Sequence, residues 1–347
     1  MIRLERMEMP SAADWDAAIA GYELRHFYHA SPWLEFIRRT QPVKPWFYRI
    51  LDGARLIGYL PGFRLRKWGV PIYGSPFPGW TTPYMGPVAA ADVDRAALLR
   101  AIAARLAADR FWHAELRHDE VGREEAAAAG FQTLPGRTYI AEIAADPEAI
   151  LASYNKSARK AVHRAERDGL VAEFTTDPAF IETYYEQLRE VFTKSRMSPT
   201  YPRERIEVLW RLLMPTGRML ATRVIQDGKC VATRIDFCGE KCLHSFGSAS
   251  SLKDLRSFPN ELARFHVMRE AAARGLRKYD MSGGGDYKAK FNAQLVDLPR
   301  LVRSSRPLMA ARGAFRKLAK LRLARGWGIA RSAERRGVRT ARPERGS

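Results

Sequence analysis

Residues 218–247 read RMLATRVIQDGKCVATRIDFCGEKCLHSFG, and this run divides into three strands in meander order. Arg218–Gln226 leads through Asp227-Gly228 to Lys229–Phe237, and Gly239-Glu240 leads on to Lys241–Gly247. A two-residue Asp-Gly break between strand-like runs is a tight-hairpin signal, because both turn residues must adopt positive φ. Beyond the meander, Pro259–Arg274 predicts a helix with Gly275 as its left-handed C-terminal residue. Arg277–Met281 is then a short strand running into Gly283-Gly284-Gly285-Asp286-Tyr287-Lys288. Before the meander, Pro147–Asp168 predicts one helix stopped by Gly169. Ile150, Leu151, Tyr154, Ala158, Ala161 and Ala165 form its apolar stripe, while Lys156, Lys160, His163, Arg164 and Arg167 occupy another side. Helices Ala179–Lys194 and Glu204–Leu213 follow. Helices, a strand meander, a helix and a strand ending in a glycine turn make an α/β layered domain rather than a bundle or a sandwich.

The first half repeats this skeleton. Ser31 and Pro32 give a helix start, as N-cap and N1. Trp46–Leu51 and Arg55–Leu60 flank Asp52-Gly53 as a hairpin, and Tyr73–Tyr84 is a loop too rich in Pro and Gly for regular structure. Arg95–Asp109 is an Ala/Leu-rich helix, Phe111–Leu116 a strand, and Arg137–Ile143 the strand expected to close this half. The expected organisation is one module over 1–145, a second over 146–302 and a basic tail over 303–347.

At 347 residues the chain has the length of two domains and enough core to be stable without disulfides. Cys230, Cys238 and Cys242 are too few for a disulfide framework and suit a reducing compartment. No run approaches the roughly 18 unbroken apolar residues of a membrane span, and the first residues lack a secretory apolar core, so a cytoplasmic protein is expected. Lys and Arg number 58 against 38 acids, a net +20. From Arg303 onward 14 basic residues face only Glu334 and Glu344, so +12 of that excess sits in the tail. Such a tail is drawn to anions, either a membrane surface to which the protein is peripheral or the phosphates of an RNA.

Several strings together resemble one group of proteins. Gly228–Thr233, Phe246-Gly247-Ser248, Pro259–Leu262, Gly275–Asp280 and Gly283–Lys288 are similar to the acetyltransferase-like proteins of the GNAT superfamily related to FemAB and CelD, with a BioF-type acetyltransferase-like domain. Asn155–Ala165 resembles the basic helix that opens the second domain in that group. FemAB members build peptidoglycan cross-bridges from aminoacyl-tRNA, and CelD-type members are associated with cellulose and exopolysaccharide synthesis. The resemblance implies tandem GNAT-like domains, acyl transfer, and a donor groove at the Tyr-Lys segment. One departure stands out. Acetyl-CoA-dependent members usually carry Q/R-x-x-G-x-G/A after the fourth strand, where glycine amides hold pyrophosphate. Ser248–Ser257 contains no glycine.

The candidate catalytic residues are Asp286, Lys288 and Glu261. If Asp286–Phe291 is extended, Asp286, Lys288 and Lys290 share one face, and Tyr287, Ala289 and Phe291 the other. Lysines beside a carboxylate can hold donor phosphates or steady the oxyanion formed when an amine attacks an acyl carbonyl. Glu261 can take the proton that the attacking ammonium must lose, with Asp236, His244 and Asp280 as competitors. Donor contacts are expected from Gly283, Gly284, Gly285, Tyr287, Lys290 and Asn260, and from Lys156, Arg159 and Lys160 on the basic helix. Trp80 and Tyr84 in the breaker-rich loop suit an acceptor pocket, since aromatic faces pack against sugar rings and peptides. Cys238-x3-Cys242 with His244 lacks a second ligand pair at zinc spacing, so no metal is expected. The expected function is transfer of an acyl group, with acetyl-CoA as donor or aminoacyl-tRNA as the alternative, onto a small-molecule, glycan or peptide precursor. A non-catalytic scaffold tethered by its tail is the rival.

Overall fold

A computed structural model describes residues 1–305, except Leu24, Trp68, residues 118–121 and Ser195. The segment 306–347, which holds most of the basic tail, lies outside the described residues. Three sheets organise the rest. The largest has seven strands in the order Val171–Phe174, Met219–Gln226, Lys229–Cys238, Cys242–Ser250, Lys278–Asp280, Arg137–Glu142, Ala293–Asp297. All neighbours are antiparallel except Cys242–Ser250 with Lys278–Asp280, which run parallel. The expected meander is present, and Asp227 and Gly228 both have positive φ, at 48° and 74°.

The first half builds a four-stranded sheet around the Phe47–Asp52 and Arg55–Leu60 hairpin, and a six-stranded sheet containing Val70–Ser75, His113–Arg117 and Arg300–Ser304. Strands cross between the halves. Arg137–Glu142, expected to close the first half, pairs instead inside the seven-stranded sheet, and Arg300–Ser304, from the end of the second half, pairs with Gln132–Leu134 in a first-half sheet.

The core follows the same exchange. One face of the seven-stranded sheet carries helices Lys156–Arg167 and Pro259–Ala273, burying Val162 and Met268 against Leu243 and Tyr279. The opposite face, with Ile235 and Phe237, shares a single apolar cluster with Phe27, Trp33 and Phe36 of the first half. The Phe27 and Phe237 rings stack 4.8 Å apart at 7°. Burial of this kind dominates folding energetics, so the two halves are stabilised jointly across their boundary.

Three local expectations are corrected. The helix expected over 147–168 is two helices, Pro147–Ser153 and Lys156–Arg167. Tyr154 and Asn155 are extended because Asn155 caps the second helix, accepting from Ala158 N at 2.9 Å, and its own N–H donates to Lys290 O. Arg159 meanwhile caps the first helix by donating to the carbonyls of Ala152 and Tyr154. These bonds replace what an unbroken helix would have made across the joint. Ser31 is the first helical residue rather than the N-cap, a place taken by Ala30. Asp286–Phe291 is a 3-10 helix and not extended, so Asp286, Lys288 and Lys290 do not share a face.

Candidate functional site

The parallel strands Cys242–Ser250 and Lys278–Asp280 pair over only three positions, ending at His244 and Asp280. Past that point Cys242–Ser250 continues to Ser250, while the other chain turns away through Ser282 and Gly283, at φ 57° and 52°. Asp280 enforces the turn: Oδ1 accepts the Ser282 N–H at 2.7 Å and the Thr138 hydroxyl. Burial raises the Asp280 carboxyl above its usual range, and these donors oppose the shift. Ser282 Oγ donates to Ser245 O at 2.8 Å across the opening.

The opening is one wall of a cavity of about 340 Å³, lined there by Ser245, Phe246, Ser282 and Gly283. The other wall comes from the first half: the loop 76–83 with Phe77 and Trp80, then Arg117 and Arg300. Trp80 packs edge-on to Phe77 and Phe63, at 5.2 and 5.6 Å. The loop is held from the second half. Arg205, on helix Arg203–Leu213, donates through Nη2 to Trp80 O at 2.8 Å and to Thr81 Oγ1 at 3.0 Å. Charged hydrogen bonds contribute roughly 1.5–3 kcal/mol. Arg205→Met is therefore expected to lower unfolding stability by about that amount in a urea titration. Unchanged stability would show that the loop holds itself.

Lys288 lies beneath the glycine turn. Its side chain is buried, and Nζ donates to the carbonyls of Ser282, Gly283 and Gly284. Desolvation first, and the nearby Arg264 charge next, push the Lys288 ammonium down to about 8, with Asp280 opposing. Behind it sits a buried polar cluster. Arg234 Nε lies 2.6 Å from Asp236 Oδ2 and Nη2 donates to Oδ1 at 2.8 Å, while Tyr279 OH donates to the same Oδ1 at 2.7 Å. Arg234 also reaches Ser245 Oγ at 2.9 Å, tying the cluster to the cavity strand. Burial raises Asp236 to about 6 despite Arg234 and Arg264, and burial lowers Arg264 to about 10. Arg264 rests over the Phe291 ring at 4.5 Å.

Of the sequence candidates, Gly283 and Trp80 line this cavity, while Asp286, Lys288 and Glu261 are not part of its lining. Glu261 is ion-paired to Lys290 at 2.6 Å, and Asp286 accepts from Tyr139 OH at 2.9 Å. Asn260 donates to Ser250 Oγ at 3.1 Å, at the far end of the opening strand. Gly283 and Gly285 need positive φ, 52° and 126°, which only glycine adopts freely, and Gly284 completes the turn. Tyr287 is exposed. Lys156 and Lys160 are exposed, and Arg159 is engaged in capping. Trp80 and Tyr84 do not share a pocket. Tyr84 stacks on His26 at 4.4 Å and lines a separate cavity of about 560 Å³ with His244 and Thr138. Among the described residues no three His, Cys, Asp or Glu side chains gather as a metal site, and no helix is long and apolar enough to cross a membrane.

Arg117, Arg205 and Arg300 escaped sequence reasoning, because a lone arginine in a polar context carries no pattern. Arg234-x-Asp236 had a readable signal: opposite charges two apart in the run Val231–Phe237 share one face of a strand expected to be buried, and so need each other.

A mixed sheet that opens between parallel strands over a glycine turn, with a second α/β half closing on the opening, is a GNAT-type acyltransferase fold. The family model for an acetyltransferase (GNAT) domain matches residues 152–290. Among solved structures, FemX superposes with a TM-score of 0.72 at 14% identity, over 88% of this chain and 99% of that one. L-PGS from Bacillus licheniformis gives 0.54 at 11% identity, over 87% and 95%. A tandem GNAT protein from the clavulanic acid biosynthesis pathway gives 0.50 at 13% identity, over 87% and 98%. At these identities the likeness is one of fold. No curated protein matches the sequence.

Proposed function

We propose that this protein is an acyltransferase that moves an acyl group onto an amine or hydroxyl of a cell-envelope or exopolysaccharide precursor. The observation that carries the reading is the 340 Å³ cavity, where the sheet opening and its lysine-braced turn face the aromatic loop of the first half. In the reaction the acceptor amine or hydroxyl attacks the acyl carbonyl, the new C–N or C–O bond forms, the bond to the donor's leaving group breaks, and the acceptor proton is lost. Negative charge develops on the carbonyl oxygen. Lys288 braces the turn that forms one wall by donating to its three carbonyls, and the two walls hold the reactants in register. No covalent enzyme intermediate is required.

The donor is an activated acyl or aminoacyl group. The residues present do not fit the usual pyrophosphate cradle of an acyl-CoA. The segment after Ser250 has no glycine, Phe258 has φ 59°, and the helix begins at Pro259, which has no N–H to offer. This favours aminoacyl-tRNA among the alternatives, and it gives the basic tail an anionic partner besides the inner membrane surface. Incubation with labelled acetyl-CoA and, separately, with charged tRNA, in the presence of amine and hydroxyl acceptors, tests the reading. Label is expected in the acceptor from one donor, with a steep salt dependence of binding if that donor is tRNA. No transfer from either would favour the scaffold, whose mark is membrane association lost on deleting 306–347.

A further inference from the structure

Arg117 and Arg300 line the first-half wall of the 340 Å³ cavity, across from Ser245 and Gly283. They come from neighbouring strands, His113–Arg117 and Arg300–Ser304. Glu115 lies between their roles: Oε2 is 3.3 Å from Arg300 Nε, and Oε1 is 2.8 Å from His113 Nε2. The buried edge of Arg300 is thus its Nε, turned back onto Glu115, while the side chain remains 25% exposed. Arg117 is partly buried beside Gly136, where a Cβ would come within 3.2 Å of Nη2, so the missing side chain there makes room for it. Burial first, and the charge of Arg300 next, lower Arg117 from its ordinary value. Two guanidinium groups that repel line the cavity, while the nearby carboxylates are shared, Glu115 with His113 and Asp280 with Thr138 and Ser282, so part of the positive charge stays open to it. Planar guanidinium forks match carboxylate and phosphate oxygens in pairs, so an entering oxyanion relieves the repulsion. The rest of the lining includes Phe77, Trp80 and Phe246, an apolar surface suited to a ring face.

We infer that this cavity takes an acceptor bearing an oxyanion group, phosphate or carboxylate, seated between Arg117 and Arg300 while the aromatic side chains pack against its ring. The inference rests on the acyl-transfer reading and names the acceptor class of that same site. Isothermal titration of the full chain with D-glucosamine 6-phosphate, D-glucuronate and D-glucosamine tests it. At least one anionic probe is expected to bind about tenfold or more tighter than glucosamine, the size of one good charge-assisted contact. Tighter glucosamine 6-phosphate assigns the group as phosphate, and tighter glucuronate as carboxylate. Arg117→Met and Arg300→Met are each expected to erase that advantage, with Arg300→Lys losing less. Glucosamine binding as tightly as both anions, or unchanged affinity in both Met variants, overturns the inference. If the Met variants fail to fold, the wild-type protein still decides it. Raising salt from about 0.05 M to about 0.5 M must weaken the anionic probe, and salt-independent binding overturns the clamp. The two readings fail separately. Turnover on acceptors without an anion preference sinks only the clamp, whereas Arg-dependent anion binding with no transfer from any donor sinks only the acyl-transfer reading.

Discussion

Lys288→Met is expected to lower kcat by roughly 10²-fold, the order of cost when the turn it braces shifts by about an ångström and misplaces the reacting groups. The donor KM should change less than kcat, because a loosened wall costs most where the reacting atoms must be aligned. The wild-type pH profile supplies a second signature. Burial and Arg264 hold the ammonium down to about 8, so it is mostly charged at neutral pH and kcat should fall as pH rises through that value. Lys288→Arg cannot lose its proton in this range, so whatever turnover it keeps should lack that falling limb. The linked effect on stability has the opposite sign. Between about 8 and the ordinary lysine value of 10.5 the unfolded chain holds the proton and the folded chain has released it, so this group's contribution to stability rises with pH. Steady-state kinetics of the three proteins from pH 6 to pH 10 would check the rates, and urea unfolding over the same range the stability. A Lys288→Met protein with wild-type kcat would remove the lysine from the chemistry.

Arg234→Met is expected to destabilise the fold by about 3–5 kcal/mol, since breaking a buried pair leaves an uncompensated charge. Both partners are almost fully buried, and Asp236 is already raised to about 6 with Arg234 beside it. Without the guanidinium the folded-state value climbs further above the unfolded one. A carboxyl raised in this way takes up a proton on folding, so stability falls as pH rises from the unfolded value through the folded one. The deficit of Arg234→Met should therefore be larger at pH 8 than at pH 5. Arg234→Met with Asp236→Asn should recover part of the loss at pH 8, because the asparagine carries no charge yet still accepts from Tyr279. Urea unfolding at the two pH values reads this directly, and a pH-independent deficit would locate the cost in packing instead.

Both predictions turn on residues of different legibility. Lys288 stood out in the sequence because it follows a triple glycine after a short strand, but its geometry did not. In an extended segment it would have stood beside Asp286 and Lys290. The 3-10 helix separates them, giving Asp286 to Tyr139, Lys290 to Glu261 and Lys288 to three carbonyls of the turn. Tyr139 is 147 positions away from Asp286, and no local spacing encodes that bond. The break at Tyr154 has the same origin, since Asn155 N–H bonds to Lys290 O.

The order of strands and helices in the second half, the Asp227-Gly228 hairpin and the left-handed glycine turn were set by the amino-acid sequence alone, because turn chemistry and the spacing of apolar residues act over a few neighbours. Tertiary structure decided which half owns Arg137–Glu142, how Arg205 grips Trp80 from 125 positions away, and that Arg117 and Arg300 face one cavity. Those outcomes depend on burying apolar faces and pairing charges between distant segments, and such energies exist only once the chain has brought the segments together.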